Sequence, residues 1–215
     1  MRLASCVLLA GLLAALPTAT GVALPSPEVL RYRVKHATYG DIGTYSNTVE
    51  HDGDTTTVRT ESHLKVSILG IVLHREDAQR QERWRDNRLM FFHGVTTING
   101  RVLEVTGEAH GDHFVIASPR GTVTAPADVR PCNPWSANFL GSGTMMRVDN
   151  GTLEPVHVSG GGEATVALNG TELRTREYDI DGKTRYKVWL SETDQVPVMF
   201  SADDDSGLVT FTLTR

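Results

Sequence analysis

The stretch VRTESHLKVSI (58–68) decides the fold. Val58, Leu64, Val66 and Ile68 fall on one parity; Arg59, Glu61, His63 and Lys65 fall on the other. Successive side chains of a strand point to opposite faces, so this rhythm builds a strand with one dry and one wet face. Working outward, LRYRVKH (30–36) sets Leu30, Tyr32 and Val34 against Arg31, Arg33 and Lys35, and YKVWL (186–190) and LVTFTL (208–213) repeat the pattern. Antiparallel sheets that bury one face and solvate the other read this way.

The punctuation agrees. Asn99-Gly100, Asn169-Gly170 and Asp181-Gly182 separate alternating runs, and tight hairpins favour such pairs because they tolerate positive φ. Asp86-Asn87 and Gly111-Asp112 are weaker versions of the same signal. Strand-sized runs recur every ~8–12 residues, the spacing of a sandwich or barrel rather than of a βαβ fold. We therefore expect an all-β fold: a strongly curved antiparallel sheet forming a half-barrel or barrel.

Two segments depart from the rhythm. HREDAQRQERWRDN (74–87) places Glu76 four before Arg80 and Gln79 four before Arg83, which suits a helix, but it has no apolar stripe for a helix to bury. As a strand it sends Ala78 and Trp84 to one face and arrives at Asp86-Asn87 in hairpin register, so we read it as a long exposed strand. From Ala125 to Gly151 the alternation stops altogether, with prolines at 126, 131 and 134 and the pair Met145-Met146. Loops of this length in compact domains usually cover something, and Trp135, Phe139 and Leu140 argue against disorder. This reads as a crossover (about 125–151), holding one short helix at 136–140, that packs on an open end or face of the sheet.

The N-terminus reads as an export signal. Arg2 precedes the apolar run VLLAGLLAAL (7–16), Pro17 ends it, and small residues in GVA (21–23) predict cleavage after Ala23. Residues 1–23 would be the signal and 24–215 one all-β domain of 192 residues (215 − 23), exported to the periplasm or secreted. Cys6 lies before the apolar run, not after it, so no lipid anchor is expected, and the mature chain has no apolar run long enough to span a membrane. The formal net charge is −5, and loss of Arg2 takes it to −6. Such a chain lacks the basic block that nucleic acid requires. It also lacks the overall charge for electrostatic attraction to an anionic membrane.

Chemistry-bearing motifs are sparse. With Cys6 removed, Cys132 has no disulfide partner, and PCNPWSANFLG (131–141) carries none of the signatures of a nucleophilic cysteine, so Cys132 reads as a small buried hydrophobe. The hairpin EAHGDHFVI (108–116) brings Glu108, His110 and His113 to one side if Gly111-Asp112 is a two-residue turn. They form a weak metal candidate without a fourth ligand, at a loop tip facing water. No G-x-S-x-G, phosphate loop or H-E-x-x-H is present. SGGGE (159–163) reads as a flexible loop and DDD (203–205) as a charged turn. Catalytic residues and cofactors are not expected, although a carboxylate pair assembled in space stays open.

Taken in order, RYRV (31–34), YGDIGTYSNTV (39–49), ERWRDNRLMFF (82–92), TTINGRVLEVTGEA (96–109), PCNPWS (131–136) and YKVWLSETDQVPVMF (186–200) resemble a family of exported bacterial proteins of unknown function. The resemblance spans nearly the whole mature chain and supplies no catalytic residues. A more distant likeness, of fold type alone, is to periplasmic carriers of the LolA and LolB kind, half-open barrels over an apolar cavity. It implies a non-enzymatic carrier of an apolar or amphiphilic, lipid-like ligand. The residues expected to line such a site are Trp84, Trp135, Phe139, Leu140, Met146 and Trp189. Two rival classes remain: an envelope assembly partner that uses a sheet face or edge, and a hydrolase with a spatially assembled site. What lies beneath residues 131–146 separates them. A continuous apolar cavity suits the carrier, a solid core under an exposed apolar patch suits the partner, and a cleft of convergent His, Asp or Glu suits the enzyme.

Overall fold

The computed structural model describes residues 26–214, so the expected export signal lies outside the described residues. Eight hairpin-linked strands come first: β1 (Glu28–His36), β2 (Gly40–Asp52), β3 (Thr55–Ile68), β4 (Ile71–Arg85), β5 (Arg88–Ile98), β6 (Arg101–His110), β7 (His113–Ser118) and β8 (Gly121–Pro126). After the crossover come β12 (His157–Leu168), β13 (Thr171–Asp181), β14 (Arg185–Ser191), β15 (Pro197–Asp204) and β16 (Gly207–Leu213). β16 pairs antiparallel with β1, which joins the two runs into one sheet of 13 strands, in the order β12-β13-β14-β15-β16-β1-β2-β3-β4-β5-β6-β7-β8. The expected all-β, antiparallel architecture holds, and the sheet is an open half-barrel: β12 and β8 are its two edges, and they do not pair.

The crossover is long because it must travel from one edge of the sheet to the other. It does so with structure of its own, including a small sheet that the sequence did not reveal. β9 (Arg130–Pro131), β10 (Thr144–Met146) and β11 (Leu153–Pro155) form a small sheet in the order β11-β10-β9, with β9 and β10 parallel. Between β9 and β10 lies a 3-10 helix, Ala137–Leu140, where the sequence predicted a short helix; the Ser136 side chain caps it by accepting from the Asn138 amide. Arg130 fastens the crossover, its guanidinium donating to the carbonyls of Asn138, Asp128 and Asn87 at 3.1, 2.9 and 2.9 Å.

Residues 74–85 lie within a strand, β4, but not an exposed one. Its burial alternates so that Ala78, Arg80, Glu82 and Trp84 all face inward. The Asp86-Asn87 turn follows with both residues at positive φ, as does Asn99-Gly100. SGGGE is corrected: it is not a loop but part of edge strand β12, where the register slips between Gly160 and Gly162. Gly160 and Gly161 take φ of 99° and 90°, and a Cβ on Gly160 would lie 2.7 Å from the Glu177 carbonyl oxygen, so the bulge needs glycine there.

Two apolar clusters cover the concave face. One gathers Val49, Val58, Trp84, Leu89, Phe92, Val105, Phe114, Ile116, Trp135 and Met146 on β2–β7 and the crossover. The other gathers Tyr32, Val34, Tyr45, Ile180, Val188, Val198, Phe200 and Leu213 on β1, β2 and β13–β16, together with Phe139 and Met145 of the crossover. The crossover thus contributes side chains to both.

Candidate functional site

Beneath the crossover, between it and the concave face, lies a cleft of about 230 Å³. Leu64 of β3 forms one wall, Phe200, Val209 and Phe211 of β15 and β16 form the other, and Cys132, Pro134 and Phe139 form the roof. Alternation explains why Val209, Phe211 and Leu213 share a face, and the β15–β16 register stacks Phe200 directly on Phe211, with centroids 4.4 Å apart and planes 11° apart. Tyr45 of β2 meets both rings edge-on, at 5.9 and 5.4 Å. The three rings make a rigid aromatic corner.

Polar groups sit along the same cleft. Arg80 lines it with its side chain only 5 % exposed, an NH2 nitrogen 3.6 Å from Glu76 and its Nε without a hydrogen-bond partner. Arg147 forms a two-pronged pair with Asp149, at 3.2 and 3.3 Å. Cys132 also lines the cleft, hydrogen-bonded to Tyr186, and burial pushes its thiol up to about 12. At neutral pH it is a thiol, not a thiolate, which is poor chemistry for a nucleophile.

Behind the cleft a polar network seats the crossover on β4. Glu82 is fully buried and accepts three hydrogen bonds: from Asn133 Nδ2 at 2.7 Å, Trp84 Nε1 at 2.8 Å and Trp135 Nε1 at 3.2 Å. Tyr45 donates to Asn133 Oδ1 at 2.6 Å, Asn133 donates to Thr60, and Thr60 donates to Asn47 Oδ1 at 2.7 Å. Burial raises the Glu82 carboxyl to about 7, and the three donors hold it back from rising further.

Of the six residues expected to line a site, the structure brings Phe139 to the cleft. Trp84 and Trp135 instead pack edge-to-face at 5.9 Å over Glu82, and Met146 is fully buried in the same cluster. Leu140 is half-buried against the other cluster. Trp189 lies on the opposite face of the sheet from Val188 and Leu190, its Nε1 donating to Glu177 at 2.8 Å under the Lys187 ammonium. The sequence reading missed Tyr45, Arg80, Arg147, Phe200 and Phe211. The parity of LVTFTL marked Phe211 as inward, but nothing local told that β16 sits beside β1.

His110 and His113 face each other across the β6–β7 hairpin as expected, with ring centroids 6.2 Å apart. His113 Nδ1 lies 3.1 Å from Asp112, its own neighbour in the turn. Among the described residues no group of three or more His, Cys, Asp or Glu is arranged to hold a metal, so Glu108, His110 and His113 do not combine into one.

An open antiparallel half-barrel, with a crossover seated in its concave face by a buried carboxylate and an aromatic-lined cleft between them, defines the class of protein at the level of architecture. Within it, the chain belongs to the family of the domain of unknown function DUF6134, whose sequence pattern matches residues 33–211. No curated protein and no solved structure matches the chain.

Proposed function

We propose that the protein is an exported, non-enzymatic binding or carrier protein of the cell envelope, and that an apolar or amphiphilic ligand occupies the cleft beneath the crossover. The observation that carries this reading is the cleft itself, with Phe139, Phe200, Phe211, Leu64 and Val209 around about 230 Å³. That volume lies just below the ~300–1,000 Å³ of small-molecule sites, which favours one chain or ring system over a bulky ligand. An amphiphile is favoured over a hydrocarbon because Arg80 and Arg147 stand among the apolar lining residues.

The test is titration with N-phenyl-1-naphthylamine, followed by displacement with palmitate. We expect a saturable fluorescence rise that palmitate reverses. Phe211→Ala should weaken it about tenfold, and Ala202→Phe, which fills the cleft without removing a core side chain, should abolish it. Probe binding that is absent, or indifferent to both variants, refutes the reading.

A further inference from the structure

Pairing of β3 with β2 ends at Leu64–Gly43, and pairing of β4 with β5 ends at Glu76–Ile98. Beyond buried Val66, and beyond Arg75, whose carbonyl accepts from the Asn99 amide at 2.9 Å, residues 67–73 project past the sheet as a two-stranded finger. Its tip is Leu69-Gly70, with φ of 50° and 83°. At the Asn99 and Asn169 turns the same φ of 50° is taken by asparagine, the side chain that tolerates it best. Here it is a leucine, 97 % exposed. Backbone chemistry and water both disfavour that choice, and such a double violation points to function.

The rest of the tip is equally apolar. Ile71 is 67 % exposed and Leu73 51 %, and Ile68 and Val72 are exposed as well. Five of the ten exposed large hydrophobic side chains among the described residues stand on this one hairpin. They surround it: Ile68 and Ile71 are cross-strand partners, Ser67 and Val72 are partners on the other face, and Leu69 caps the end. A protein groove would take one face of such a finger; an apolar medium takes all of it. At the finger's base Lys65 and Arg75 are cross-strand partners, both exposed, and Arg101 is exposed on the hairpin next to β4. Arg75 already donates to Asp77 at 2.7 Å, which leaves the Lys65 and Arg101 cations to face an anion outside the protein.

We propose that this finger is a membrane-docking element that inserts its apolar tip into the surface of an anionic bilayer. Lys65 stands four residues below Leu69, roughly 14 Å along the strand at about 3.4 Å per residue. A tip seated ~5–10 Å into the headgroup–acyl boundary leaves that cationic collar level with the phosphates. The unpaired strand edges limit insertion to this depth, because they need water or headgroups to satisfy them. The overall acidic charge does not oppose docking, since within a Debye length the membrane meets the collar first. Ile68, and Val66 buried at the finger's base, continue the inward face of Leu64, so apolar side chains run from the tip to the cleft wall. The docking surface stands independently of what fills the cleft.

The experiment is co-flotation of the purified protein with phosphatidylglycerol vesicles and with phosphatidylcholine vesicles. Binding to the anionic vesicles is expected, reduced at least tenfold by Leu69→Asn, which should fold at least as well because asparagine suits the turn. Lys65→Gln should weaken binding severalfold and flatten its salt dependence. The proposal is overturned by absent binding to anionic vesicles or by binding that Leu69→Asn leaves unchanged. Concentration-dependent self-association that Leu69→Asn abolishes, without vesicle binding, overturns it in favour of a second copy of the chain. Leu69→Asn should leave naphthylamine binding intact, so the finger and the cleft can fail separately.

Discussion

Replacing Glu82 by glutamine tests the buried network most directly. The carboxyl titrates near 4.5 in an unfolded chain and at about 7 in the folded one, because burial penalises the charged form more than its three donors favour it. Below the unfolded value both states are protonated and the group is neutral with respect to stability. Between 4.5 and about 7 the folded state holds a proton that the unfolded state has released, so stability falls as pH rises through that window and then levels. At about 1.4 kcal/mol per pH unit the loss is roughly 3 kcal/mol. Glutamine has the same shape and does not titrate. Urea unfolding followed by tryptophan fluorescence, run for wild type and Glu82→Gln at about pH 4 and about pH 8, isolates the effect of Glu82 because other groups titrate alike in both proteins. The variant should gain roughly 3 kcal/mol on wild type between the two conditions, whatever the offset at low pH. An offset independent of pH, or one that moves in favour of wild type as pH rises, refutes the reasoning.

Two further outcomes follow from packing around single residues. A Cβ on Gly107 would lie 2.3 Å from Cε1 of the fully buried Phe114, so Gly107→Ala should destabilise by about 1–3 kcal/mol in urea unfolding. Most of that cost should vanish against a Phe114→Leu background, and strictly additive effects would contradict the clash. Cys132, held protonated with its thiol pushed up to about 12, should react with iodoacetamide at about pH 8 at least a hundredfold more slowly in the native protein than in urea; comparable rates would place a thiolate in the cleft.

The sheet was legible because strand alternation is a local property, written into 30–36, 58–68 and 208–213 residue by residue. The break at 125–151 was legible for the same reason, as the loss of a pattern. Arg80 and Glu82 were not, because charges at inward positions make β4 look solvated. Glu82 is sustained by Asn133 and Trp135, which approach from about fifty residues downstream in the crossover, and Arg80 by Glu76 and Thr96. Trp189 shows a different failure. Size suggested a site, yet Val188 and Leu190 on either side already put it on the outer face. The Leu69-Gly70 turn was hidden because leucine is no turn residue, so SILGIVL (67–73) reads as one continuous apolar run.

β1 and β16, the first and last strands of the described residues, are neighbours in the interior of the sheet rather than at its rims. The pairing that fuses the two meanders is thus the most distant in sequence, Tyr32 with Leu213 and Val34 with Phe211. Loop closure over such a span is slow, and it cannot begin until β16 has been synthesised. Until then each meander leaves a raw interior edge. The joining of the two meanders is therefore the last pairing that synthesis permits.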